Sequence, residues 1–429
     1  MMNQRNRYVL AAIIAALIIG GGIVLTTPRK VPEGDDDVTV PEESELKGVV
    51  YIGVMASHDE VYPVYEFITD MAMRDINEHC ANAGLNCSFE FLLSNANGTG
   101  ANALNLTQMY KNMGIDLVIG YGWSSQLCVT RTYAEDNGMV LLSPSSRTPQ
   151  LAQEDNIFRL CPHDFKQATP TVKMMRSLGV TDTVVIQRDD LWSDGLAESF
   201  KKEFEEDGGR VQEVIRYPGE IVGDGFLPYV KMANATIQDL AEKQGQEKAA
   251  ILLISFSENR QILERASSHP ALMGVKWFGI EDTVNSSSIQ ESSCPEAAAV
   301  SLISPIPSIT ENNIYLRINR AFVNEFNRNL SYFDAYVYDC CWVMALSVLK
   351  AGTDDSDVVR TVLPWVASNY SGISGPCTLD ANGDRAAVDY DIWGYFEVDG
   401  EPRNLRCGFY NATNGKVVWD EALVNLPGG

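Results

Sequence analysis

Two short strings of small hydroxyl residues carry the chain's most suggestive chemistry. Tyr121-Gly122-Trp123-Ser124-Ser125 follows the apolar run Asp116–Gly120, and Ser143-Pro144-Ser145-Ser146-Arg147-Thr148 follows Met139–Leu142. Hydroxyls and backbone N–H groups at the turn from a strand into a helix suit a small anion such as a carboxylate. Ordinary N-capping by Ser and Thr explains one such loop; two on nearby strands point to a site. Further along, Trp192 lies just beyond the run Thr183–Gln187, and Glu281 just beyond Val275–Gly279. An aromatic at a strand end anchors its loop or walls an apolar ligand group. A carboxylate there holds an ammonium or caps a helix.

The elements that must position these residues alternate along the chain. Apolar runs at Val49–Met55, Phe89–Leu93, Asp116–Gly120 and Met139–Leu142 read as strands. Helical spacing separates them at Val64–Ala81, Ala101–Met113 and Ser124–Asp136. A second series begins after Cys161–Phe165: strands Thr183–Gln187, Arg210–Arg216, Ala250–Ser255 and Val275–Gly279 alternate with helices Ser193–Glu206, Phe226–Lys243 and one from Glu258. The apolar run Ala297–Ser304 follows, then helices from Glu311, through Tyr336–Lys350 and after Asp355. Short β runs from Gly375 end the chain, with turn signals at Asn382-Gly383, Asp399-Gly400 and Asn414-Gly415. Apolar strands separated by amphipathic helices mean α/β architecture with parallel sheets covered on both faces. Two series of similar length predict two doubly wound lobes, which bind ligands at the carboxyl ends of their strands.

Motifs for other chemistries are missing. Gly120-Tyr121-Gly122 lacks the third glycine of a dinucleotide loop. No P-loop, G-x-S-x-G or H-E-x-x-H occurs, and His58, His79, His163 and His269 are dispersed without metal-ligand spacing. The expectation is a binding protein without cofactor or metal, and not an enzyme. With 33 basic against 57 acidic residues the formal charge is −24, which repels phosphate backbones and argues against nucleic acid as a partner.

The apolar stretch Tyr8–Thr27 has no charge and is long enough to cross the ~30 Å hydrocarbon core as a helix. Arg5 and Arg7 before it favour an N-terminus inside. Residues 1–30 are therefore expected to be a transmembrane anchor, with a cleaved signal as the competing reading. Residues 31–46, acidic and Pro-rich, read as a tether, and the remainder as lying outside the cytoplasm. Eight N-x-S/T sequons, from Asn86 to Asn411, agree with glycosylation outside the cell. Nine cysteines fit an oxidising compartment; Cys80 with Cys87, Cys377 with Cys407 and Cys128 with Cys161 are candidate disulfides, while Cys340 and Cys341 read as buried thiols.

Several segments, in order and spacing, resemble one family. They include VVYIGVM, DLVIGYGWSS, EDNGMVLLSPSSRTPQL, IFRLCPHDFKQA, VVIQRDDLWSDGLAESFKKEFEEDGGRV, VKWFGIED, AYVYDCCWVMALSVLKAG and GISGPCTLDANGDR. Over about residues 47–420 the chain resembles the type I periplasmic-binding-protein family, close to the branched-chain amino-acid receptors of ABC importers. The resemblance implies two α/β lobes joined by three crossings, near Asp164, Pro305 and Gly375, closing on a ligand. Lobe 1 would hold residues 47–163 and 306–375, and lobe 2 residues 164–305 and 376–429. By the same resemblance Ser124, Ser145 and Ser146 contact a ligand carboxylate, Trp192 packs on its side chain, and Glu281 holds its ammonium. Arg147 stands where these receptors usually carry Thr, so it either clamps a carboxylate or narrows the pocket. Phe256 lies near a family Tyr, and Tyr336 lines the pocket from the hinge side. The implied partners are a small amino acid, a permease and an ATPase. The alternatives are a receptor for an amide, urea or other small carboxylate, and a sensing ectodomain with a separate signalling partner.

Overall fold

The computed structural model describes residues 46–284 and 286–424. The expected anchor and nearly all of the tether lie outside the described residues. Among the described residues no helix is long and apolar enough to cross a membrane. The described residues form two compact units, the first residues 46–163 with Ile309–Ala387, the second Asp164–Ser308 with residues 388–424.

Unit 1 is built on five parallel strands: β1 (Gly48–Ala56), β2 (Cys87–Asn95), β3 (Leu117–Gly120), β4 (Val140–Ser143) and β5 (Ile157–Arg159), in the order β2-β1-β3-β4-β5. Every residue of β3 and β4 is buried, as strands covered on both faces require. On one face Val50, Ile52 and Val54 pack with Ile68, Ala72 and Ile76 of the helix Tyr62–Asn82 and with the helix Tyr332–Ala351. On the other, Met55, Val118 and Leu141 pack with Tyr110 and Leu127. Alternate β1 residues serve opposite faces, which is the period-two geometry of a strand. The helix Tyr332–Ala351 is apolar nearly all round and correspondingly buried, and a Ser331/Asp334 capping box starts it.

Unit 2 has five parallel strands: β6 (Asp182–Arg188), β7 (Arg210–Tyr217), β8 (Ala249–Ile254), β9 (Lys276–Phe278) and β10 (Ile303–Pro307). Three antiparallel strands, β11 (Tyr390–Val398), β12 (Glu401–Asn411) and β13 (Lys416–Trp419), extend the sheet beyond β10.

Three expectations are corrected. The last passage between units falls after Ala387, not near Gly375. Ser371–Gly372 pairs with Gly375–Pro376, and the buried Asp384 and Arg385 bond to Arg159, Leu160 and Ser374, which keeps this segment in unit 1. The run Ala297–Ser304 is not one element: it ends the helix Cys294–Ala299, turns at Ser301 with φ 47°, and enters β10. No disulfide forms among the described residues, which hold all nine cysteines as thiols. Cys128 is exposed whereas Cys161 is buried, and Cys377 and Cys407 are buried in the cores of different units. Cys80 and Cys87 lie against one another as thiols, and burial, followed by the Cys87 sulfur, pushes the Cys80 thiol up to about 12.

Candidate functional site

In unit 1 the carboxyl ends of β1, β3 and β4 meet in a tight turn. Gly120 has φ 133°, and a Cβ there would lie 2.2 Å from the Met55 carbonyl oxygen. Tyr121 follows at φ 59°, a strained conformation for a residue with a side chain. Its phenol holds it there, hydrogen-bonded to Thr107 Oγ1 at 2.7 Å in the core. Burial pushes that phenol well above its ordinary pKa. Gly122 then passes so close to its neighbours that a Cβ would meet Ser57 Oγ at 2.8 Å. The helix Ser124–Asp136 starts here, with Trp123 at its N-cap. An indole offers no oxygen to the first turn; instead Gln126 Oε1 accepts from the Trp123 amide at 3.4 Å and the Gln126 amide donates to the Trp123 carbonyl at 2.9 Å.

The loop after β4 is laced to this turn. Ser145 Oγ donates to the Gly122 carbonyl at 3.0 Å and Ser146 Oγ to the Tyr121 carbonyl at 2.6 Å. Ser143 Oγ accepts from the amides of Ser145 and Ser146 at 3.4 and 3.1 Å. The two hydroxyls at 145 and 146 therefore hold the loop in shape. Ser124 differs: its Oγ accepts from the Thr148 amide at 3.3 Å. From beneath, the buried Arg159 donates to the carbonyls of Ser146 and Thr148 at 3.1 and 2.7 Å while pairing with the Asp384 carboxylate. Arg147 extends its guanidinium over the Phe333 ring, 5.2 Å from the centroid. Tyr336 is fully buried, edge-on to Phe333 and under the Arg385 guanidinium.

In unit 2 Glu281 opens a 3-10 turn just after β9 and is buried, with 8 % of its surface exposed. Its amide donates to Gln167 Oε1 at 3.2 Å. Trp192 is the second residue of the helix Leu191–Glu206, which Asp190 caps by accepting from the Ser193 amide at 2.9 Å. Its ring stacks on Phe256 just after β8. Behind them the carboxylate of Glu258 accepts from the Tyr217 hydroxyl and pairs with Arg188. Burial and then the Glu258 charge drive the Tyr217 hydroxyl far above its ordinary range.

Ser124, Ser145, Ser146 and Arg147 are thus brought together in unit 1, while Trp192 and Glu281 stand at strand ends of unit 2. Sequence reasoning missed Ser57, the loop support from Arg159 and Asp384, and the Arg188–Glu258 pair. Asp384 had a signal, since it sits in the Asn382-Gly383 turn; Arg159 had none, because a charge inside a strand reads as a surface residue. Among the described residues no cluster of acidic, His or Cys side chains is arranged to hold a metal.

Residues 69–396 match the model of the receptor family ligand binding region. An uncharacterized protein of Methanocaldococcus jannaschii, MJ1266, is 22 % identical, covering 94 % of this chain and 98 % of its own. An ABC transporter substrate-binding protein from Desulfitobacterium hafniense, solved with Leu, superposes with a TM-score of 0.63 at 18 % identity, over 83 % of this chain and 100 % of that one. A leucine-binding protein from Thermotoga maritima gives 0.58 at 17 % identity, over 85 % and 99 %. At such identities the two structures establish the fold, and the family match covers most of the sequence. The chain belongs to the receptor family whose ligand binding region that model describes, and its fold is the type I periplasmic-binding fold.

Proposed function

We propose that this protein is the extracytoplasmic receptor of an ABC importer, capturing a small amino acid and handing it to a permease. The observation that supports this reading is the unit 1 turn, where Ser124, the start of its helix and Arg147 lie at adjoining strand ends. A carboxylate lodged there receives the Ser124 hydroxyl, backbone N–H groups and a guanidinium. Ser145 and Ser146 keep the loop in place. Within unit 2, Glu281 is suited to an ammonium and Trp192 to an apolar side chain. Each charge-assisted contact is worth about 1.5–3 kcal/mol, so three or four support micromolar binding after the losses of association.

The test is calorimetry of the purified protein against a panel of amino acids. A binder is expected, and Glu281→Ala is expected to weaken it at least about tenfold by leaving the ammonium unpaired. Full-strength binding by the variant removes the amino-acid assignment.

A further inference from the structure

At the other end of the unit 2 strands from Glu281, a cavity of about 410 Å³ opens. Its lining includes Ala249, Lys276 and Ile303, the first residues of the parallel neighbours β8, β9 and β10. Val275, Val300, Ile303, Phe396 and Val424, all buried, give it apolar walls. Lys276, Gln246 and Ser301 line it as well. Lys276 precedes Phe278 by two residues, so both project from one face of the sheet, the face on which Phe396 and Val424 pack. The Gln246 amide lies across Gly274, where a Cβ would come within 1.5 Å of its nitrogen. Ser301 turns at φ 47° between the helix Cys294–Ala299 and β10. Among the described residues none of these three side chains has a hydrogen-bond or ion-pair partner. For Lys276 that is unusual in a chain with 57 acidic and 33 basic residues, where carboxylates outnumber cations. A half-buried ammonium without an acceptor gives up hydration and regains nothing. Glu247, an acid on the same rim, folds back over Gly245, where a Cβ would meet its carboxylate at 2.5 Å.

We propose that this cavity is a second binding site, taking a small amphiphilic carboxylate such as a medium-chain fatty acid. The carboxylate head meets the Lys276 ammonium, with the Gln246 amide and the Ser301 hydroxyl as further donors. The hydrocarbon tail covers the apolar walls, which accounts for both characters of the lining. The volume lies within the ordinary range of small-molecule sites, roughly 300–1,000 Å³. The site lies at the amino ends of the strands, so the proposal stands or falls independently of the amino-acid reading.

Calorimetry on the purified full chain with butanoate, hexanoate, octanoate and octanol tests it. Octanoate is expected to bind tightest of the acids, with about fourfold gained per methylene. Octanol, which carries no charge, is expected to bind at least about tenfold more weakly than octanoate. Lys276→Met removes that difference, and Lys276→Arg, which keeps the charge, retains it. Ala299→Trp, at an exposed position of the lining, blocks octanoate and octanol alike while leaving the urea midpoint nearly unchanged. Saturating L-leucine leaves octanoate binding unaltered. Failure of octanoate to bind the wild type, equal binding of octanol, full octanoate affinity in Lys276→Met or in Ala299→Trp, or displacement by leucine overturns the proposal. Binding that appears only after removal of residues 425–429 shows that the chain itself fills the cavity, and overturns it as well.

Discussion

Asp182 shows how much one buried carboxylate can depend on its partners. Its side chain is fully buried at the start of β6, and burial alone would raise its pKa. Hydrogen bonds from Arg210 at 2.9 Å, Thr181 at 2.7 Å and Gln212 at 2.6 Å reverse the sign and hold it below the usual carboxylate range. A depressed carboxylate binds fewer protons folded than unfolded. Its contribution is therefore complete above the ordinary value near ~3.9 and lost as pH falls through it towards the folded value. Urea unfolding at about pH 6 and about pH 3 is expected to show a larger loss of stability for the wild type than for Asp182→Asn. Equal losses would mean that the hydrogen bonds do not favour the ionised form.

The strand-end loops owe their shape to residues remote in sequence. Arg159 ends β5, and Asp384 reaches it from the turn after Gly383 to form an ion pair with 0 % and 1 % of the two side chains exposed. That pair holds Arg159 against the carbonyls of Ser146 and Thr148. Removing one partner strands a buried charge, which typically costs about 3–5 kcal/mol. Asp384→Asn is expected to lower unfolding stability on that scale and to weaken solute binding as well, although residue 384 sits behind the loop and not on it. A variant of reduced stability with unaltered affinity would show that the loop keeps its form without Arg159. Gly122 illustrates the same dependence at shorter range, because only a missing Cβ lets the turn pass Ser57.

Across the whole molecule the cysteines sort by burial and not by pairing. Cys128 is exposed and Cys294 half-buried; the other seven are buried. Burial pushes the thiols of Cys377 and Cys407 up to about 12, and raises those of Cys87 and Cys294. Thiolate is the reactive form, so alkylation of native protein near pH 8 is expected to modify Cys128 first, with Cys294 following slowly. Unfolding without reductant is expected to expose all nine, read by mass spectrometry; a missing pair of labels would reveal a disulfide. The strong negative charge acts at this scale too, opposing association with polyanions at every orientation.

Strand and helix positions were legible along the chain because two fully apolar strand series and amphipathic spacing leave few alternatives to covered parallel sheets. The hydroxyl loops could be found for the same reason: a strand end is where such sheets expose backbone donors. What each hydroxyl does was not legible. Ser145, Ser146 and Ser124 are one residue type in similar loops, yet two turn inward to carbonyls and one accepts from the Thr148 amide, a choice made by the neighbouring strand. Aromatic character likewise does not reveal how deeply Tyr336 is buried, because its helix is covered nearly all round. The late passage after Ala387, the Arg159–Asp384 pair and the Arg188–Glu258 pair all join residues distant in the chain. Sequence determined which strands and helices could exist; tertiary structure decided which polar groups stayed available, because only packing fixes who satisfies whom.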